Sequence, residues 1–563
     1  MAIKISGNTV IDDSRNITSS GTMSANAYIG DGSQLTNLPG GGNVLEATAS
    51  GTLADGSKVI VNTDGTVSSV GFSTIPKNWI TTMGNLSSNE AWDVIVDSSG
   101  NVYIAGSTYL TYSSGGVAKL NSSSEIQWSK YTNVGTPGTQ ALFYAVHVDD
   151  SGNVYVGGNT EPSHDAILFK YNSSGVLQWK KELGTTSSSE YINGLAMDSS
   201  GNIYAASYMG SKPAVIKLNS SGNTIWQRRY DKNGSSAGVA IDSSDNVYLV
   251  GSTSGAGQGG DDILLIKYNS SGTSQWERTL GSSISQRGYD LAVDSSDNIF
   301  VVGRTHSGTQ FSGDEDVVLA KYDSSGNLLW QRQLGGSGMD SYYDGIAIDN
   351  SDNVYLSIMN TGQTLTIAKY SNDGVIQWQN SLNTTGTEYN RNIAVDPDGS
   401  NVYVVGYCNV SGASTEWVVA KLPGDGTGTG TYGTFTYSTS SLTDQAGTMT
   451  GASYSHGSTN FTLSNNTSTL NEGDANMTTS AVNAVSYDTN LTGENYIGIS
   501  DASYTNGQSA TIQLAGSVDD AQSGLTPGSK YYVQGDGTLS TTADSPSVFA
   551  GTAVATTKLV VKN

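Results

Sequence analysis

The feature that most limits the fold of this chain is a block of the type V-D-S-S-G-N-V-Y, which occurs seven times. Its aspartates are Asp97, Asp149, Asp198, Asp242, Asp294, Asp349 and Asp396, spaced by 52, 49, 44, 52, 55 and 47 residues, so the period is near fifty. Six residues after the first six aspartates come Tyr103, Tyr155, Tyr204, Tyr248, Phe300 and Tyr355; an extra residue in the seventh copy moves the aromatic to Tyr403. A lysine ends an apolar run in every copy: Lys119, Lys170, Lys217, Lys267, Lys321, Lys369 and Lys421. Nine residues after the first six lysines stand Trp128, Trp179, Trp226, Trp276, Trp330 and Trp378. A constant gap means that the turn between lysine and tryptophan has constant length.

Each copy reads as four short strands, of the types DGIAID, NVYVVG, DVVLAKY and NLLWQRQL. S-S-G-N joins the first to the second, and N-S-S-G or D-S-S-G joins the third to the fourth. Ser, Asn and Gly at these points supply side-chain-to-backbone bonds and positive φ. Four-stranded units at a period near fifty are the signature of propeller blades. A barrel or a sandwich has no need of seven copies of one hairpin pair.

The tryptophan count predicts how such a repeat closes. Lys421 is followed by L-P-G-D-G-T-G-T-G and lacks its tryptophan, whereas Trp79 lacks its lysine. Trp79 lies 18 residues before Asp97, and the other six tryptophan-to-aspartate gaps run from 16 to 21. Trp79 is therefore the seventh of the set. The stretch IPKNWITTMG is expected to pair with the third strand of the last copy, which closes the ring and satisfies edge groups that would otherwise stay unpaired. The expected fold is all-β: a seven-bladed β-propeller over 73–424, closed by an N-terminal strand and flanked by small β-rich N- and C-terminal modules.

With marks of the type D-x-x-G-N-x-Y, where Asp245, Asp297 and Asp352 replace the glycine in three copies, and with the lysine–tryptophan marks completed by Trp79, the chain resembles the β-propeller repeat family over all seven copies. The resemblance implies a fold and no activity, because propellers host many unrelated functions. Trp79, Trp128, Trp179, Trp226, Trp276, Trp330 and Trp378 occupy one fixed blade position, so they are read as scaffold packed between neighbouring blades rather than as sugar platforms. The fixed lysines lay their stems along the same surface. The fixed aspartates are turn formers, since D-S-S-G-N lacks the alternating oxygen ligands of a calcium loop.

The two tight turns of each blade share one face and are nearly uniform. The connections from strand two to three, and from blade to blade, share the other face and vary. Variation collects where it is tolerated or useful. Candidate contact residues on the first set of connections are Tyr109, Tyr112, His164, Tyr208, Met209, His306 and Phe311; on the second they are Tyr230, Tyr289, Tyr342, Tyr343 and Tyr389. Tyrosine beside Ser, Asn and Gly suits sugar or protein alike. Asp261-Asp262 and Asp314-Glu315-Asp316 are read as solvated acidic loops in preference to a cation site.

Composition agrees with short strands: 69 glycines, only 13% charged residues, and abundant Val, Ile, Thr and Tyr. A net charge of −24 without a basic stripe argues against nucleic acid as a partner. The single cysteine, Cys408, excludes an internal disulfide framework and reads as a small buried thiol. The start, MAIKISGNTVIDD, is not a secretory signal, and no stretch is apolar enough to insert in a membrane. The four histidines, His147, His164, His306 and His456, form no catalytic or metal-spaced motif, so no enzyme, metal or cofactor is expected. Quinone-dependent dehydrogenases are similar in strands such as KYNSSGVLQW, but they have eight blades and a paired-cysteine site, which this chain does not match.

The flanks divide into 1–42, an expected N-terminal attachment segment; 43–72, a small β segment or linker; 425–475, a Gly/Ser/Thr-rich connecting β region; and 476–563, a C-terminal β module. Gly30-Asp31-Gly32-Ser33, Leu35-Thr36-Asn37-Leu38-Pro39, Gly524-Leu525-Thr526-Pro527-Gly528, Tyr531-Tyr532-Val533, Gly537-Thr538-Leu539-Ser540-Thr541 and Lys558-Leu559-Val560-Val561 carry a second likeness. In them the chain resembles virion fibre and tail-associated proteins of bacteriophages, marine and cyanobacterial ones in particular. That resemblance implies a virion structural protein of fibre, spike or decoration type. Its propeller would bind a host-surface glycan or protein without catalysis. The partners would be other virion proteins and the host surface, and the assembly a homotrimer. Two alternatives stay open: a glycan-cleaving propeller with two facing carboxylates, and a spacer that binds only virion proteins.

Overall fold

A computed structural model describes residues 3–5, 8–11 and most of 44–561. Short stretches within that range, among them 110–112, 134–139, 307–314, 336–344 and 410–414, lie outside the described residues, as does most of the expected attachment segment. Every regular element described is a strand. The chain forms two compact units: 75–486, and 1–74 together with 487–563.

In the 75–486 unit the described residues form seven antiparallel sheets, each built on one copy of the repeat. The first sheet joins Asn89–Val96, Val102–Tyr109, Ser113–Leu120 and Ile126–Asn133 in chain order. The repeat letters explain the turns. Asp97 Oδ1 accepts the backbone N–H of Ser99 and of Asn101, both at 2.9 Å, and Gly100 takes φ 74°. Three copies place Asp245, Asp297 or Asp352 at this left-handed position, with φ of 59°, 61° and 60°. The steric cost of a Cβ there is offset by bonds from the preceding sheet. Ser199, Ser243 and Ser295 donate their hydroxyls to these aspartates at 2.8, 2.8 and 2.7 Å.

The seventh sheet takes its outer strand from the front of the chain. Phe72–Gly84 pairs antiparallel with Glu416–Pro423, and Trp79 stands opposite Lys421. The seventh sheet then packs on the first: Trp79, Trp417 and Tyr403 share a buried cluster with Ala91 and Ile104. The Trp417 indole N–H donates to Ser107 O at 2.9 Å. Similar apolar clusters fill every interface between successive sheets, from first and second through to sixth and seventh.

The 425–475 stretch, expected as a connecting β region, is made of short strands that pair with the repeat sheets. It turns back and adds a further strand to the outer edge of each sheet, in descending order. Phe435–Thr439 pairs with the sixth sheet, Thr443–Ala446 with the fifth and Thr450–Tyr454 with the fourth. Ser458–Thr459, Ser464–Asn465 and Asn471–Asp474 follow on the third, second and first, and Thr478–Thr479 pairs with Phe72–Gly84. Outer strands would otherwise show unpaired N–H and C=O groups, and this belt occupies them. A step of about seven residues spans roughly 23 Å when extended.

The other unit corrects two expected boundaries. Val44–Thr48 pairs with Ser509–Gln513, and Lys58–Val61 with Tyr496–Ser500, so 43–72 is not a separate segment. Two or three short strands cannot bury a face alone, and the C-terminal strands complete the sheet. A second sheet joins Val518–Asp519, Lys558–Val561, Val548–Ala555, Lys530–Val533 and Leu539–Ser540. The C-terminal module begins at 487, since 478–479 belong to the belt.

Candidate ligand-binding site

At the uniform turns the repeated residues serve the scaffold. Five tryptophan indoles donate to a serine carbonyl in a turn of the following sheet: Trp79 to Ser122, Trp128 to Ser173, Trp179 to Ser220, Trp226 to Ser270 and Trp276 to Ser324, at 3.0–3.1 Å. Trp378 reaches Gly424 O at 3.3 Å, and Trp330 packs edge-on to Phe300 with centroids 5.7 Å apart. The turn lies flat on the indole, and a Cβ on Gly175 would come within 2.7 Å of Trp128. Lys217 reaches over the Tyr204 ring and pairs with Asp198 at 2.9 Å, and Lys267 and Lys321 repeat this arrangement.

The first strands of all seven sheets line one cavity of about 790 Å³. Six of these strands shift register five residues before the repeat aspartate. A bulge inserts one extra residue and re-aims its side chain. The residues at that position are Trp92, Tyr144, Asn193, Ala237, Tyr289 and Arg391, and all six line the cavity. Asp344, the equivalent in the sixth copy, lies outside the described residues.

On one wall the Arg391 guanidinium carbon sits 3.9 Å from the centre of the Trp92 ring and 5.0 Å from that of Tyr407. Arg391 Nη2 donates to the Tyr407 hydroxyl at 3.0 Å. Trp92 meets Tyr144 edge to face at 5.2 Å. Elsewhere Arg304 lies 5.6 Å from the Tyr289 ring centre and pairs with Glu315. Arg287 pairs with Asp261 at 3.3 Å.

The polar residues deeper in the cavity tie sheet to sheet. Asp93 Oδ2 accepts the Val146 N–H at 2.7 Å, and Asp93 Oδ1 accepts Asn392 Nδ2 at 2.6 Å. Asp290 Oδ2 accepts the Ile346 N–H at 3.4 Å, and Asn193 Nδ2 donates to Ser236 O at 2.9 Å. Asp93 and Asp290 are partly buried and line the cavity. Burial pushes the Asp93 carboxyl up to about 6 and the Asp290 carboxyl up to about 7, where the charge of Asp93 adds to the effect. Burial pushes the His147 imidazole down to about 4, against the opposing pull of Asp149 and Asp150.

The expected contact residues scatter. Tyr112, Phe311, Tyr342 and Tyr343 lie outside the described residues, and of Tyr109 only the backbone, at the end of Val102–Tyr109, is described. His164 sits in a turn with φ 56° and meets the Tyr191 hydroxyl through Nδ1 at 3.1 Å; Tyr191 in turn lies 5.7 Å from Tyr208. His306 is exposed at a strand end, its Nδ1 3.2 Å from Glu315. Tyr289 and Tyr389 are strand residues, within Gln286–Val293 and Glu388–Val395, and not loop residues as expected. Tyr389 stacks on Tyr407 at 4.6 Å. Tyr230 and Met209 are buried and leave the contact set, because each side chain turns into a sheet interface. Asp262, Glu315 and Asp316 are buried where strands begin, so the solvated-loop reading of those acids does not hold. Among the described residues, no three acidic, cysteine or histidine side chains are grouped to hold a metal ion.

Reading the sequence for loops missed Trp92, Tyr144, Tyr191, Arg287, Arg304 and Arg391. A signal for part of this set exists. Aligned on the repeat aspartates, the fifth preceding position reads Trp, Tyr, Asn, Ala, Tyr, Asp, Arg, two places before a column that is Val, Leu or Ile in every copy.

Comparison with known proteins places these observations. Residues 178–208 match the family described as the beta-propeller repeat. No curated protein matches the chain. Among solved structures, the β-propeller domain of the trilobed protease from Pyrococcus furiosus is similar at 12% identity over 59% of this chain and 95% of that one, with a TM-score of 0.37. A polysaccharide lyase, an ulvan lyase, is similar at 12% identity over 61% and 96%, with a TM-score of 0.38. A protein from Dyadobacter fermentans is similar at 11% identity over 62% and 100%, with a TM-score of 0.37. The chain is thus an all-β protein that carries a β-propeller repeat.

Proposed function

We propose that the seven sheets are the blades of one closed β-propeller, and that the protein is a bacteriophage virion component of fibre, spike or decoration type. On this reading it binds a host-surface glycan or protein, without catalysis, at the mouth of the axial cavity. Its other partners are virion proteins, and it works as a homotrimer. Closure is supported by Trp79 pairing opposite Lys421 and by the seventh sheet packing on the first. The virion reading rests on the flanking residues named above, and −24 net charges disfavour nucleic acid as a ligand. The observation that carries the binding site is the bulged position: Trp92, Tyr144, Tyr289 and Arg391 differ from copy to copy yet line one cavity. Variation on a uniform scaffold, where it faces a cavity, is where binding residues collect. Weak sites on several copies of a trimer would gain avidity on one surface.

The test is adhesion of labelled full-length protein to cyanobacterial cells, with Trp92→Ala and Arg391→Gln compared to the parent. Loss of adhesion in both variants supports the site, and adhesion that ignores both refutes it. Failure of the parent to adhere to any cell would leave the spacer reading.

A second reading, glycan cleavage, is favoured by Asp93 and Asp290, two carboxyls of one cavity held near neutral pH values. Their oxygens are engaged by the Val146, Leu291 and Ile346 amides, which suits staples better than an acid and a nucleophile. New reducing ends from host polysaccharide, lost in Asp290→Asn, would establish cleavage.

A further inference from the structure

We infer that the ligand of this cavity is an anionic sugar, a pyranose carrying a carboxylate or a sulfate ester. The inference rests on the binding-site reading above. Three of the chain's eight arginines, Arg287, Arg304 and Arg391, line the cavity, and no lysine does. Cationic forks are thus gathered at one place in a protein of net charge −24. The carboxylates that attend them stand outside the lining: Asp261 beside Arg287, Glu315 beside Arg304, and Glu90 within the field of Arg391. Asp261 and Glu315 therefore hold their guanidinium groups without lining the cavity, while Tyr407 tethers Arg391.

Among the described residues the acids that do line the cavity, Asp93 and Asp290, already accept backbone N–H groups, and burial favours their neutral forms. They oppose an anion less than two free carboxylates would. Arg391 is buried, stacked on Trp92 and tethered by its Nη2 to Tyr407. A planar guanidinium held in one orientation recognises carboxylate or sulfate through paired N–H donors, which a flexible ammonium cannot do. Trp92, Tyr144 and Tyr191 add aromatic wall on which the C–H face of a pyranose packs. A volume of about 790 Å³ falls within the usual range for small-ligand sites, ~300–1,000 Å³. An acidic peptide would satisfy the arginines but would make little use of that wall.

The test is calorimetric titration of the full chain with four probes: galacturonic acid tetrasaccharide, its carboxyl-reduced neutral form, a carrageenan tetrasaccharide, and deca-glutamate. The expected result is saturable binding of an anionic tetrasaccharide at least about tenfold tighter than the neutral one, as a charge-assisted contact provides. Binding of the uronate alone identifies a carboxylate, and binding of the carrageenan fragment alone identifies a sulfate. Arg391→Gln should weaken binding at least about tenfold, and Arg391→Lys should restore only part of it. Arg287 is half exposed, so Arg287→Gln keeps the fold and should weaken binding about threefold. Equal affinity for the neutral form, tighter binding of deca-glutamate, or no tetrasaccharide binding at all overturns the inference. Cell adhesion separates this failure from that of the underlying site. Adhesion that is lost in Trp92→Ala but not competed by the anionic tetrasaccharides overturns the ligand class alone; adhesion indifferent to Trp92→Ala overturns the site.

Discussion

Replacing Trp79 by alanine tests the pairing of the chain's front with its seventh sheet. The indole is fully buried, donates to Ser122 O at 3.0 Å, and shares its cluster with Trp417, Tyr403 and Ile104. Deleting a buried tryptophan side chain costs about 3–5 kcal/mol through lost transfer energy and the cavity left behind. The lost hydrogen bond adds about 1 kcal/mol. The internal control is Trp276→Ala, at the same repeat position, with the same kind of bond to Ser324 O at 3.1 Å. Trp276 is partly exposed, so its loss should cost about half as much, ~2–3 kcal/mol. Trp276 sits on a strand that a tight turn joins to its ladder partner, Asp261–Tyr268, whereas Trp79 holds a strand that only its ladder and packing retain. Trp79→Ala should therefore free amides of both Asn78–Met83 and Trp417–Lys421 to exchange with deuterium, and leave those of Val247–Tyr268 protected. Urea unfolding followed by circular dichroism gives the costs, and hydrogen exchange gives the location. If Trp79→Ala costs no more than Trp276→Ala, or if protection falls equally in the fourth sheet, the reasoning about closure is refuted.

The cavity carboxyls give a pH prediction. Asp93 and Asp290 hold protons in the folded state that the unfolded chain releases above about pH 4. Their contribution to stability is therefore greatest in acid and is lost as pH rises through about 6 and 7. Asp290→Asn should shrink the fall in unfolding free energy between pH 5 and pH 8 by about 2 kcal/mol, a figure already lowered for water in the cavity; an unchanged pH profile would contradict the assignment. Asp297→Gly relieves a φ of 61° but loses two bonds from Ser243, at 2.9 and 2.8 Å. The net expectation is a loss of about 1 kcal/mol by thermal unfolding, and a gain would show that strain outweighs the bonds. Ala452→Pro removes a donor opposite Thr279 in the belt. It should expose 443–459 to limited proteolysis while the fourth sheet keeps its exchange protection, and a belt that stays resistant would show that its ladder contributes little.

The repeat was legible because its letters do the same job in every copy. Asp97 and Asp149 both cap their turns, and Trp128 and Trp226 both reach a serine carbonyl one sheet away. The pairing of Trp79 was legible for the same reason, as a spacing that one tryptophan had to complete. The cavity was harder to read because Trp92, Asn193 and Arg391 share a position and no chemistry. Tyr289 and Tyr389 were assigned to loops because bulged strands begin earlier than alternation indicates. The belt left little trace because main-chain pairing asks almost nothing of side chains: Ser458–Thr459 and Ser464–Asn465 are two residues each. Its rhythm was nonetheless present, with strands starting at 435, 443, 450, 458, 464, 471 and 478.

That descending path has a consequence for biogenesis. A ribosome releases the first sheet early and the sixth late, and the belt is born beside the sheet most recently finished. It then travels toward older parts of the molecule and ends at Gly84 and Met83, near where synthesis of the repeat unit began. Its last two residues, Thr478 and Thr479, thus join the latest part of the unit to its earliest strand. A molecule missing one repeat would offer seven short belt strands only six edges, and one of them would be left without a partner.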